Sequence, residues 1–260
     1  MFTSENLDTR SLRFTWFYSI SQIKLKYRYT FLGFLWNFLE PALYLIILSL
    51  VLSVINRMDI RDYAVFLFSA LVPWRYFEKV VATMTDSIVQ GEWLHKKMYV
   101  SQFAFPLNRW LTGSFEFLFS IFVAFMIFAA LKTNWTIHLI VLPLAIIPWA
   151  LFGMGIGMIF SVLYVFFRDI KPFVQLALTL TFFTSPILFK QEVFEAGSVQ
   201  SILMAFHPFT YLAALFQKPV YNAMWPTSAD WIISTTIALS SLMIGIYLIN
   251  KNKSKFYFYL

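Results

Sequence analysis

The stretch IHLIVLPLAIIPWALFGMGIGMIFSVLYVFF, residues 137–167, contains no Asp, Glu, Lys or Arg. A hydrocarbon layer about 30 Å thick takes about 20 helical residues to cross, so a run this long and this apolar reads as a transmembrane helix. Arg168-Asp169 ends it, and a further apolar run, 172–189, follows at once. Working outward, comparable runs occupy 31–55, interrupted only by Glu40 and Pro41, then 63–89, 110–131 and 231–249. The run at 63–89 carries Arg75, Glu78, Lys79 and Asp86. Ending it at Trp74 would leave about a dozen residues, too few to cross as a helix. The expected fold is therefore all-α, a polytopic membrane protein with six transmembrane helices in a single domain spanning 1–260.

Composition points the same way. Apolar residues make up 60% of the 260, aromatics 20% and charged residues only 13%, against about 25% charged in a soluble domain. The formal charge of +7 would suit nucleic acid or anionic lipid. Its basic residues, however, are confined to short segments between apolar runs, which favours membrane lipids and excludes nucleic acid as a partner. Absence of cysteine rules out disulfides, thiolate chemistry and Cys-ligated metal. Met1 to Arg10 is polar and mixed in charge, without an apolar stretch ending in a small-residue cleavage site. No removable signal peptide is expected, and the first span would direct insertion.

Residues 1–30 are expected to be a tail and an interface helix. In SLRFTWFYSISQIKLKYRYT, 11–30, Leu12, Trp16, Ile20, Ile23 and Tyr27 recur at helical spacing, with Arg10, Arg13, Ser21, Lys24 and Arg28 opposite and Phe17 as an exception. A basic face backed by an aromatic and aliphatic one is the pattern of a helix lying in the membrane surface. Between the last two spans, 190–230 carries Glu192, Glu195, Pro208, Pro219 and Pro226 among pieces such as SILMAF and TYLAALF. These pieces are too short to cross. They read as short helices dipping into the interface or pore mouth on the external side.

Orientation follows from where Lys and Arg collect, because cytoplasmic loops carry the excess. With six spans one side holds Arg10, Arg13, Lys24, Lys26, Arg28, Lys96, Lys97, Arg109, Arg168, Lys171, Lys251, Lys253 and Lys255. The other holds Arg57, Arg61, Lys132, Lys190 and Lys218. Both termini are expected in the cytosol.

Charges inside hydrocarbon cost about 2.5–3.5 kcal/mol each on insertion scales, so each needs a reason. Glu40, before Pro41, either turns toward a hydrated path or pairs with a basic group of the surface helix. Arg75 and Glu78 are spaced to pair on one helical face, and Lys79 and Asp86 are candidates to do so two turns apart. Glu116 is read as a satisfied structural acid. Gly153, Gly155 and Gly157 are read as sites of close helix approach. No GxxxxGK[ST] nucleotide loop occurs, and His95, His138 and His207 lack carboxylates at metal-ligand spacing. Of 31 Phe, 13 Tyr and 9 Trp, Trp74, Trp110, Trp135, Trp225 and Trp231 are assigned to interfacial belts. Aromatic faces also suit the C–H edges of sugar rings.

Three stretches together resemble the permeases of the ABC type 2 transporter family. LKYRYTFLGFLWNFLEPALYLIILSLVLSVI, 25–55, has a basic approach ending at Arg28, then Leu32-Gly33, Trp36 and Pro41 opening span one. FLFSALVPWRYF followed by HKKMYVSQFAFPLNRW resembles the family's second span and its ATPase-contacting helix. FFRDIKPFVQLALTLTFFTSPILF, 166–189, resembles the fifth-span signature, with Arg168-Asp169 before the helix and Ser185-Pro186 at its far end. The branch most resembled exports lipid-linked polysaccharide: O-antigen, capsule or wall teichoic acid. The resemblance implies a homodimer in the bacterial cytoplasmic membrane with two copies of a separate cytosolic ABC ATPase. ATP-Mg would sit on that partner, this chain binding no cofactor or metal and catalysing nothing. Substrate entry and channel would involve Arg28, Leu32, Gly33, Trp36, Glu40, Tyr44, Phe173, Phe182, Phe183 and Pro186. Glu92, Trp93, Leu94, Lys96, Lys97 and Met98 would couple to the ATPase, and 190–230 would form an external gate. Rival readings are drug efflux by the same family, a membrane glycan or lipid transferase, and an ion-coupled carrier. The transferase lacks a grouped set of catalytic carboxylates, and the carrier lacks visible related halves.

Overall fold

The computed structural model describes residues 9–28, 35–55, 57, 59–92, 101–130, 136–190 and 197–259. Every regular element among them is helical. In chain order these are α1 (Thr9–Tyr27), α2 (Trp36–Ile55), α3 (Ile60–Thr85), the single turn α4 (Ser87–Gln90) and α5 (Ala104–Ala130). A 3₁₀ turn (Ile137–Val141) then leads into α6 (Leu142–Phe166), followed by α7 (Ile170–Thr184), α8 (Val199–Phe206), α9 (Pro208–Val220) and α10 (Ser228–Tyr259). Three stretches, Ala104–Ile127, Ile137–Phe166 and Ser228–Phe256, are each long and apolar enough to cross a membrane. A fourth candidate arises if the bent pair α2 and α3 is counted as one. The chain is a multi-pass membrane protein.

The most charged of the expected spans lies at the centre. α3 packs against α2, α5, α6, α7 and α9, and Tyr63 through Trp74 are buried without a break. A helix buried on every side needs apolar residues all round. Tyr63–Trp74 supplies them, with Arg61 and Asp62 before this stretch and Arg75 directly after it. Trp74 is 1% exposed, so it anchors the bundle core instead of an interfacial belt. Its ring stacks on Phe182 at 5.6 Å and meets Phe209 edge-on at 4.7 Å. Phe209 of α9 also packs on Phe77, Trp149 and Phe152, and the Trp149 indole donates to the Leu212 carbonyl at 2.8 Å. α9 is thus inserted among the long helices.

α6 and α10 form the most extensive pair, and glycine makes it possible. A methyl group on Gly155 would lie 2.5 Å from the backbone nitrogen of Leu242, and one on Gly245 would lie 2.9 Å from the Gly155 carbonyl oxygen. Small residues let helix backbones meet where apolar burial offers no driving force between lipid-facing helices.

Element ends depart from expectation for local reasons. The fifth apolar run, expected as one helix over 172–189, is helical only to Thr184. Ser185 turns extended (ψ 155°), as the residue before a proline does, and Ile187 and Leu188 are buried beyond the helix end. The sixth runs past 249 to Tyr259, taking Lys251, Lys253 and Lys255 into the same helix. Its start is fixed reciprocally: Thr227 N–H donates to Asp230 Oδ2 at 2.7 Å and Asp230 N–H to Thr227 Oγ1 at 3.3 Å, a capping box.

Two ends of the bundle are each knit by long-range polar contacts. One, the basic end, joins Asp86 to Lys171, Arg109 to Gln90 and Gln102 to the Lys253 carbonyl. The other joins Asp62 to Tyr221, Tyr63 to the Leu188 carbonyl and Lys218 to Asp230.

α1 meets the bundle along a stripe that the amphipathic reading does not mark. Among its described side chains the buried ones are Ser11, Thr15 and Ser19, whereas Trp16 and Phe17 are exposed. Asn108 of α5 donates to Ser19 Oγ at 2.7 Å, and Ser101 N–H reaches Ser11 Oγ at 3.5 Å. A small hydroxyl residue every fourth position lets the two helices approach closely and share hydrogen bonds. Phe17 is left to the lipid, while Trp16, also exposed, meets Phe115 of α5 edge-on at 5.5 Å.

Candidate functional site

Facing sides of α2, α3 and α5 enclose a cavity of about 330 Å³. Glu40 and Tyr44, one helical turn apart on α2, receive Arg75 of α3 between them. The guanidinium reaches Glu40 Oε1 at 3.2 Å and lies 4.5 Å from the Tyr44 ring centre. Its other nitrogen donates to Glu78 at 2.8 Å, the expected i,i+3 pair. Lys79 turns instead to α5, meeting Glu116 Oε2 at 2.5 Å, while Lys26 of α1 meets Oε1 at 2.5 Å. The candidate Lys79–Asp86 pair is therefore not the one made, because Glu116 lies directly across from Lys79. Glu40 pairs within the bundle, with Arg75, and not with the surface helix.

Three cations (Lys26, Arg75, Lys79) thus face three carboxylates (Glu40, Glu78, Glu116). A neutral set of this kind is the way charges become tolerable beside hydrocarbon. Its members differ in exposure. The Glu116 side chain is 7% exposed, whereas that of Glu40 is 62% exposed. Glu116 is therefore a structural tie among three helices, and Glu40 is the group that faces open space.

At the basic end, Asp86 sits at the break between α3 and α4. Its carboxylate accepts from Lys171 Nζ at 2.6 Å and from Gln90 Nε2 at 2.9 Å. The same carboxylate holds the Lys171 ammonium above the usual lysine range. One buried acid therefore connects the first turn of α7 to the segment that leads into Glu92. Glu92 is half-buried; Trp93, Leu94, Lys96, Lys97 and Met98 lie outside the described residues. Arg168 and Asp169, both exposed, form the turn before α7, with the Arg168 guanidinium 5.2 Å from the Tyr164 ring centre.

At the opposite end, α9, the turn after α7 and the starts of α3 and α10 surround a cavity of about 350 Å³. Lys190 donates to the Tyr221 hydroxyl, which donates to Asp62 at 2.8 Å. Gln217 donates to the Pro186 carbonyl at 3.0 Å. Burial pushes the Tyr221 phenol up and the His207 imidazole down.

The sequence-derived channel residues separate into groups. Glu40 and Tyr44 line the α2–α3–α5 cavity. Trp36 and Arg28 are exposed near the basic end of α2 and α1, and Leu32 and Gly33 lie outside the described residues. On α7, Phe173 and Phe183 are exposed, whereas Phe182 is buried against Trp74. Pro186 is buried at the opposite end. α2 and α7 each pack on α3, so within one chain their outward faces flank it. Asp86–Lys171, Asp62–Tyr221–Lys190 and the Ser11/Thr15/Ser19 stripe were not singled out from the sequence. Only the stripe carries a local signal, its period of four. No group of His, Asp or Glu suited to hold a metal occurs among the described residues.

No protein-family model matches the chain. Curated relatives do. Over 235 residues, 90% of each chain, it is 25% identical to an O-antigen export system permease protein of Myxococcus xanthus. Over 236 residues, again 90% of each chain, it is 25% identical to one of Klebsiella pneumoniae, and a second Klebsiella pneumoniae protein of the same name is 29% identical over 66% of each. The likeness to permeases of the polysaccharide-export branch therefore extends over nearly the whole length.

Proposed function

We infer that the chain is the membrane permease subunit of an ATP-driven ABC exporter of O-antigen. The observation that carries this is the match to two O-antigen export permeases over 90% of both partners. An all-helical, multi-pass architecture and the absence of a nucleotide loop in its sequence agree with a transport subunit. It is not the enzyme of the system; hydrolysis belongs to a partner ATPase carrying ATP-Mg.

Finer features of the proposal rest on the geometry. Six crossings, in one domain over 1–260, are supported by the way polar contacts alternate between the two bundle ends: Asp62 against Asp86, Lys171 against Leu188, Asp230 against Lys253. Excess Lys and Arg at the basic end supports a cytosolic placement of both termini in the inner membrane. A homodimer is supported by the exposed apolar faces of α2 and α7, with Phe173 and Phe183 on the latter. These faces, with Glu40 and Tyr44, would border a path for a lipid-linked glycan. The glycan head and sugars would pass while the lipid stays near the bilayer. α8 and α9, tied to α3 through Tyr221 and Phe209, would form the external gate.

Coupling follows from the same contacts. Closure of the two ATPase subunits would move the segment from Glu92 to Met98. Asp86 would pass that motion to Lys171 and so to the start of span five, while α3 would carry it to α2.

Deletion of the gene in its host tests the reading. Lipid-linked O-antigen should accumulate at the inner face and vanish from the surface, with recovery on complementation. Unchanged surface O-antigen together with new drug sensitivity would replace this reading with efflux.

A further inference from the structure

On the far side of Glu116, α1, α3 and α5 enclose a second cavity of about 440 Å³ at the basic end. Three of its lining side chains, Lys26, Lys79 and Arg109, are cationic, and one, Glu116, is a carboxylate. Both lysines divide the two oxygens of Glu116. Arg109 gives a guanidinium N–H to the neutral amide oxygen of Gln90 at 2.7 Å. The cavity thus has an excess of two positive charges, and its lysine side chains remain 45% and 43% exposed. Thr83 and Thr112 complete the wall, their hydroxyls donated to the carbonyls of Lys79 and Asn108 at 2.7 and 2.9 Å.

Height in the membrane identifies what such a site takes. Leu25, on its rim, is 54% exposed, and Phe17, about two turns earlier on α1, is 67% exposed. The helix therefore meets acyl chains on one side while its lysine stems reach the cavity on the other, as long cationic side chains do at an interface. Basic pockets between helices on the cytoplasmic side bind phosphate head groups, whose several oxygens can accept from ammonium and guanidinium donors together.

We propose that the Lys26–Lys79–Arg109 cavity binds the phosphate of a lipid head group. The ligand class is a phosphate or diphosphate ester anchored in the bilayer. Its binding would link α1 to α3 and α5 more firmly than Glu116 does alone. The inference rests on the chain's place in a membrane and not on the identity of the exported glycan.

The test is native mass spectrometry of the detergent-purified chain with its partner ATPase, titrated with phosphatidylglycerol, with phosphatidylcholine, and with a polyisoprenyl diphosphate. The wild type should retain phosphatidylglycerol or the isoprenyl diphosphate in preference to phosphatidylcholine. Which of the two is held more tightly separates a membrane phospholipid from a diphosphate-linked carrier as the occupant. Arg109→Gln should weaken retention about fivefold, the worth of one basic residue beside anionic lipid. Arg109→Lys should keep most of it, and Lys255→Gln, the same charge lost elsewhere at the basic end, should change nothing. Equal weakening by Arg109→Gln and Lys255→Gln, or no preference over phosphatidylcholine in the wild type, would overturn the proposal whether or not the protein exports O-antigen.

Discussion

Asp86 is where the coupling mechanism can be broken with the least damage. Asp86→Asn keeps the size and an acceptor for Gln90 but removes the charge that holds Lys171. A hydrogen bond to a charged group contributes about 1.5–3 kcal/mol when buried. Lys171 is 46% exposed, so water already satisfies part of it, and solvent screening brings the expected loss to about 1–2 kcal/mol. That is a shift of roughly five- to thirtyfold in any equilibrium that depends on the contact. In nanodiscs with its ATPase, the variant should lose glycan-stimulated hydrolysis by a factor in this range while basal hydrolysis continues. Lys171→Gln should do the same. If the two act only through each other, the double variant should be no worse than either alone. Additive losses, or a single variant with wild-type stimulation, would refute transmission through this pair.

Other outcomes follow from separate parts of the bundle. Glu116→Gln removes the buried carboxylate that ties Lys26 and Lys79 and, with both lysines nearly half exposed, should cost about 1–2 kcal/mol of stability, read as a lower melting temperature in nanodiscs. Gly155→Ala should destabilise by about 1–3 kcal/mol, because the added carbon meets α10 backbone that cannot yield. Gly153→Ala, where the nearest atoms stand 3.6 Å away, should be close to neutral, so equal melting temperatures for the two would contradict the packing. His207 has its pKa lowered from 6.5 by burial. The fold holds it neutral, so its contribution is full above about pH 6.5 and is lost as pH falls through the folded value. Melting temperature should drop below that pH in the wild type and less so in His207→Gln. Reporter fusions after Asn56, Asn134 and Gly197 should report the exterior, and those after Gly91 and Lys251 the interior.

Long uncharged runs such as 137–167 and 231–249 were legible as membrane helices because length and apolarity are properties of the chain alone. The i,i+3 pair of Arg75 and Glu78 was legible for a related reason: both groups ride on one helix. Partners on different helices were not. Nothing near Lys79 in the chain points to Glu116, and nothing near Asp86 points to Lys171, since these meetings depend on how helices pack. The same holds for burial. Trp74 carries no mark that separates an interfacial ring from a central one, and its place follows from the insertion of α9 with Phe209. α1 shows the limit most plainly. Its basic and aromatic faces were legible, yet nothing in the chain said that close approach to α5 would turn Ser11, Thr15 and Ser19 inward.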